Sequence, residues 1–216
     1  MLFYIYLALL ALSTFSAVFT RQYSSTFKWF RLALVLLLVS ELIIALLRKS
    51  IPFIGPLIYQ INIPLYLIFI YLFLRDHIQE FIIKQFLLIT VVAYCVMCLS
   101  LSVFFYTVND FPGIQLNVMG VIIIGMCLYI LLTLDPIGNI PIYKHPMAWI
   151  CLGYVVFFSA TFFLNGIYNH LVETNSPLRS KIHLYINTIS NCFMYSCFIV
   201  GLYLSNALTK MNKKSS

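Results

Sequence analysis

Leu32-Ala-Leu-Val-Leu-Leu-Leu-Val-Ser-Glu-Leu-Ile-Ile-Ala-Leu-Leu47 is an unbroken apolar run with one carboxylate, Glu41, set inside it. A run of this length without in-out alternation reads as a membrane-spanning helix, with Trp29 and Phe30 at its interfacial end. A charge at mid-bilayer depth costs about 3 kcal/mol on insertion scales, so Glu41 needs a polar partner or a proton.

Six further stretches of the same kind fill most of the 216-residue chain. The spans expected are Leu2 to Thr20, Leu32 to Leu47, Leu57 to Leu74, Gln85 to Tyr106, Leu116 to Leu134, Met147 to Asn165 and Ile182 to Ser205. Glu41 is the only Asp or Glu inside them. Composition agrees: 62% of residues are hydrophobic and 9% charged, whereas a soluble domain carries about 25% charged residues. Seven spans of about 20 residues leave only short loops. The expected architecture is therefore all-α, a single seven-helix transmembrane domain over residues 1–216. The stretch from Ser13 to Ala17 looks like a cleavage region, but no positively charged segment precedes it, so the first span is read as a mature helix.

Loop charge sets the orientation. With the N-terminus outside, Arg21, Lys28, Arg31, Arg75, Lys84, Lys144, Lys210, Lys213 and Lys214 lie inside, against Arg48, Lys49, Arg179 and Lys181 outside. Nine against four favours N-out and C-in by the positive-inside rule. The net charge of +7 is then a topology signal, and no nucleic-acid partner is expected. All six cysteines fall inside spans, where they read as small apolar residues rather than disulfide partners.

The polar residues within the spans are unevenly distributed. At 1.5 Å per residue Glu41 stands about 13 Å above the inner end of the second helix, near the midplane. Gln60 and Asn62 occupy the outer turns of the third helix, and His183, Asn187 and Asn191 recur every four residues along one face of the seventh. Ser100, Ser102 and Tyr106 end the fourth helix, Asn117 opens the fifth, and Ser159, Thr161 and Asn165 lie in the upper half of the sixth. Polarity is thus concentrated toward the outer side. Interhelical hydrogen bonds alone would account for amides and hydroxyls, but an intramembrane carboxylate marks a functional site by default. Glu41, Gln60, Asn62, His183, Asn187 and Asn191 are the candidate ligand-binding residues of an outward-facing polar pocket. Pro64 removes a backbone hydrogen bond in the third helix and is expected to kink it near Asn62.

The remaining motifs carry little chemistry. His170 and Glu173 form an incomplete metal set in an outer loop. The segment from Asp135 to Pro146 reads as a rigid inner turn. No nucleophile-base set, phosphate loop or full metal site is present in the sequence, so no catalysis, cofactor or metal is expected. The last helix has no lysine between Ile182 and Ser205, which excludes a rhodopsin-type retinal site, and the four histidines divide between both sides, against a seven-helix zinc hydrolase. Sugar transporters of the three-plus-one-plus-three type share the helix count, the orientation and an asparagine in the third and last helices, but their hinge prolines are missing from the first, second, fifth and sixth helices here.

His145-Pro-Met-Ala-Trp149 at the start of the sixth helix and His183-x-x-x-Asn187-x-x-x-Asn191 on the seventh resemble small seven-helix integral membrane proteins of Bacteroidota-type bacteria, over nearly the whole chain. The resemblance implies a sensor or adaptor in a bacterial inner membrane, holding an unknown small ligand and acting through a separate cytoplasmic signalling protein. The competing expectation is a small-solute or proton-coupled transporter.

Overall fold

The computed structural model describes the backbone of residues 2–19, 27–47, 49–51, 53–107, 110–134, 141–173 and 178–215, and the side chains of these except 2–3, 163, 165–173, 178–184 and 208–215. Among the described residues there are seven α-helices and no strand. They are α1 (Leu2–Phe19), α2 (Phe27–Leu47), α3 (Ile54–Arg75), α4 (Phe81–Phe104), α5 (Gly113–Thr133), α6 (Pro146–Glu173) and α7 (Leu178–Ser215), with one 3-10 turn at Ile142–Lys144 ahead of α6. Five are long and apolar enough to cross a membrane: α2, α3, α4, α5 and the Tyr185–Ala207 part of α7. The described parts of α1 and α6, Tyr4–Phe19 and Pro146–Phe162, are apolar but shorter.

Hydropathy placed the start of α2 at Leu32, five residues later than the helix begins. Lys28 and Arg31 end the apolar run, yet the helix continues back because Phe27 and Phe30 are buried. Their rings meet Phe73 of α3 at 5.4 and 4.9 Å, and Phe30 meets Phe198 of α7 at 5.2 Å. The Lys28 ammonium stands 4.6 Å from the Trp29 ring, which lets the charge remain at the apolar surface. Pro64 does lie inside α3, which runs through it to Arg75.

Neighbouring helices trace a closed ring, α1–α2–α3–α5–α6–α7 and back to α1, while α4 lies outside it against α3 and the edge of α5. The core inside the ring is aromatic and aliphatic: Phe30, Leu67, Ile70, Phe73, Tyr154 and Phe198 are all fully buried. By contrast α4 leaves Phe86, Ile89, Val96 and Leu99 more than half exposed. Such a face suits lipid, where exposed apolar side chains carry no penalty. Gln115 at the start of α5 holds α4 in place: its amide nitrogen donates to the Cys98 carbonyl at 3.2 Å and to Ser102 Oγ at 3.2 Å. Tyr94 of α4 returns a bond to the Gln115 carbonyl at 3.0 Å.

Candidate functional site

The α2–α3 contact is a polar seam. Ser40 and Glu41 are consecutive on α2, and Tyr59 and Asn62 stand three apart on α3, hence on one face. The Tyr59 hydroxyl donates to Glu41 Oε1 at 2.7 Å. Next to it, the Asn62 amide donates to Ser40 Oγ, and that hydroxyl donates in turn to the Leu36 carbonyl at 2.6 Å. Glu41 is half-buried, and this partner is a neutral hydroxyl rather than a cation. A phenol can hold a carboxylate or a carboxylic acid, so the bond does not commit Glu41 to one charge state.

An outer layer covers this seam. Tyr59 meets the Phe111 ring edge-on at 6.1 Å. Its neighbour Gln60 donates through Nε2 to the carbonyls of Thr107 and Asp110, at 3.1 and 3.2 Å. Within the same loop the Asp110 carboxylate accepts from the Thr107 backbone N–H at 2.8 Å and its hydroxyl at 2.9 Å. The α4–α5 connection is thereby pinned to the first turns of α3, over Glu41.

On the inner side of the seam tyrosines continue across the bundle. Tyr6 of α1 and Tyr195 of α7 stack with centroids 6.3 Å apart, and both lie within electrostatic reach of Glu41. Deeper still, the hydroxyls of Tyr66 (α3) and Tyr154 (α6) share a 2.9 Å hydrogen bond. Tyr154 has no exposed surface and Tyr66 almost none.

Five of the six residues singled out from sequence have described side chains, and these fall into three sets of contacts. Glu41 and Asn62 join the same seam through different partners. Gln60 has its amide donor engaged by loop carbonyls. Asn191 donates to the carbonyl and side-chain oxygens of Asn187, at 2.9 and 3.1 Å, so the asparagine pair is bonded along α7 itself. The side chain of His183, like those of Asn165, His170 and Glu173, lies outside the described residues. Sequence reasoning missed the tyrosines because they count as apolar in a hydropathy run. The signal was present: Tyr59, Asn62 and Tyr66 recur at spacings of three and four, which puts three polar tips on one stripe of α3.

Two cavities lie elsewhere. One of about 300 Å³ is lined by Ile114, Asn117, Val118, Val121 and Phe162, between α5 and α6. The other, of about 280 Å³, is lined by His77, Gln79, Glu80, Tyr129 and Thr133 at the α3–α4 turn. Among the described residues no group of three or more His, Cys, Asp or Glu is placed to hold a metal ion. The six cysteines are free. Compared with protein-family models, curated proteins and solved structures, the chain matches none.

Proposed function

We propose that this is a non-catalytic, receptor-like sensor of a bacterial inner membrane, crossing it seven times with the N-terminus outside and the C-terminus inside. In this reading the Glu41–Tyr59 seam senses the state of the outer α4–α5 loop or of a small polar ligand beneath it. The output is made by a cytoplasmic partner that docks on the basic end of α7, at Lys210, Lys213 and Lys214. One observation carries the proposal: Tyr59 donates to the intramembrane carboxylate while its ring rests on Phe111 of the loop, so a displacement of the loop is felt at Glu41.

Labelling tests it. With the native cysteines replaced and Thr107→Cys introduced, an impermeant maleimide added outside intact cells should react, and Glu41→Gln or Tyr59→Phe should change that rate several-fold. Labelling only from inside would reverse the orientation, and a rate indifferent to both substitutions would end the coupling.

A second reading, a small-solute or proton-coupled transporter, draws on the placement of α4, which separates two triplets of helices and lies outside the ring that they close. Purified protein in liposomes distinguishes the two. The sensor moves no solute, whereas Glu41-dependent uptake of a sugar, an amino acid or protons would replace the sensor with a transporter.

A further inference from the structure

Helices α5 and α6 touch at Gly120, where a Cβ would stand 2.9 Å from Phe158 Cδ1. The residues flanking this approach, Asn117, Val118 and Val121, line the cavity of about 300 Å³ together with Ile114 and Phe162. It opens at the surface, since Ile114 and Val121 are more than half exposed. Asn117 is the polar member of this lining, and it differs from the other amides of the bundle. Gln60, Asn62, Gln115 and Asn191 each donate an amide N–H to a partner. Asn117 makes no hydrogen bond among the described residues.

The two ends of that amide stand in different surroundings. Its Oδ1 is enclosed by protein, but the residue as a whole is only half-buried and Nδ2 is not enclosed, so the amide N–H group keeps surface open to the cavity. The helix that carries it is long and apolar enough to cross a membrane. Its 21 residues rise about 31 Å, the thickness of the hydrocarbon core. Asn117 lies about 6 Å along the helix from Gly113, and its side chain leans back toward the helix N-terminus. The amide therefore stands just inside the hydrocarbon edge, where a bare N–H donor is costly. The nearest acceptors that a bilayer supplies at that depth are the ester carbonyls of its phospholipids.

Below the amide the lining is apolar and continues along α5. Asn117, Val121 and Gly125 follow one another at spacings of four, hence down one face. A Cβ on Gly125 would meet nothing within 4 Å, so this stripe ends in a notch rather than a side chain. From Asn117 to Gly125 is about 12 Å of helix. We infer that the groove holds one phospholipid, its ester carbonyl accepting from Asn117 Nδ2 and its acyl chain running past Val121 into the notch at Gly125, with Phe162 of α6 as the facing wall. The lipid bridges α5 and α6 beside their contact at Gly120. The site shares no residue with the Glu41 seam, so it stands whether the protein is a sensor or a transporter.

The test uses the full chain in nanodiscs made from an equimolar mixture of diester phosphatidylglycerol and its diether analogue, with the lipid that stays bound in detergent counted by native mass spectrometry. The two lipids share headgroup and chain length, and the ether lacks the carbonyl. The wild type should retain the ester over the ether lipid about fivefold, the discrimination expected of one neutral hydrogen bond. Asn117→Leu keeps the bulk and removes the N–H, and should bring that ratio to unity. Gly125→Leu fills the notch and should lower retention of both lipids alike. Because it projects into open space, Gly125→Leu also keeps the proposal open to refutation where Asn117→Leu fails to fold. Equal retention of the two lipids by the wild type, a preference that persists in Asn117→Leu, or retention unchanged in Gly125→Leu overturns the site.

Discussion

The α6–α7 contact and the Ser40–Glu41 half of the α2–α3 contact hold their helices together by opposite means. Between α6 and α7 the chains approach at glycines. A Cβ on Gly201 would stand 2.9 Å from the Pro146 carbonyl oxygen, and one on Gly153 would lie 3.0 Å from Cys197 Cβ and 3.2 Å from the Met194 carbonyl oxygen. Tyr154 and Phe198 fill the space beside them with ring centroids 4.9 Å apart. Between α2 and α3 an aromatic half, where Phe27 and Phe30 meet Phe73 and Trp29 stacks on Phe69, is continued by a hydrogen-bonded half made through Ser40, Glu41, Tyr59 and Asn62. Lipid gives helices no hydrophobic reason to associate, so close packing and hydrogen bonds are the available forces. Close packing is rigid, whereas hydrogen-bonded partners can exchange. A sensor built on this bundle would keep α6–α7 fixed and change at α2–α3.

The most damaging way to break this contrast is to place a methyl group in the dry contact. Gly201→Ala puts its Cβ against backbone, which cannot rotate away, and should destabilise the protein by about 1–3 kcal/mol, the usual cost of overpacking. Gly125→Ala is its control, because a Cβ there meets nothing within 4 Å. Thermal unfolding in one detergent compares them directly. Equal melting temperatures for the two variants would mean that α6 and α7 are not held by glycine contact.

A smaller effect is expected at the polar contact. Interhelical hydrogen bonds in membrane proteins average about 0.6 kcal/mol and reach about 1.7. A double-mutant cycle with Glu41→Gln and Tyr59→Phe should give a coupling within that range, read by steric-trap or denaturant unfolding. A coupling as large as the Gly201→Ala effect would make the seam a rigid structural bond and remove the reason to treat it as adjustable.

The difference between these contacts also marks what the sequence disclosed. Seven helices follow from hydropathy, because apolar length is a local property. Glu41 was equally visible, as a charge in an apolar run. Its partner was not, since Tyr59 has the hydropathy of a core residue and its hydroxyl matters only once α3 is turned toward α2. The asparagine stripe on α7 was legible as a face, but Asn191 reaches Asn187 one turn away more readily than any residue on another helix. Gln60 was visible as a polar residue in an outer turn. Its carbonyl partners, at Thr107 and Asp110, lie 47 and 50 residues further along the chain. The outlying position of α4 had no local signature either. Its composition matches that of the ring helices, and what sets it apart is how little of its surface the others cover.

Acid gives the weakest of the expected effects, and it reaches the dry contact only at its end. His145 caps the turn before α6, donating its backbone N–H to the Ile142 carbonyl at 2.9 Å, and its Nδ1 is buried with no partner among the described residues. Burial holds this imidazole below its ordinary value of 6.5, and His77, close enough to repel it once charged, is shifted the same way. The unfolded chain therefore takes up protons first as pH falls. Stability should be constant above about pH 6.5, decline as pH drops from there toward the lowered folded values, where unfolded protein binds more protons than native, and level off below them. Melting temperatures in detergent from about pH 8 to 5 should show that decline, and His77→Gln with His145→Gln should flatten it. The Gly201→Ala penalty should stay the same at every pH, since no titrating group lines that contact. An equally steep decline in the double variant would move the pH sensitivity away from these two histidines.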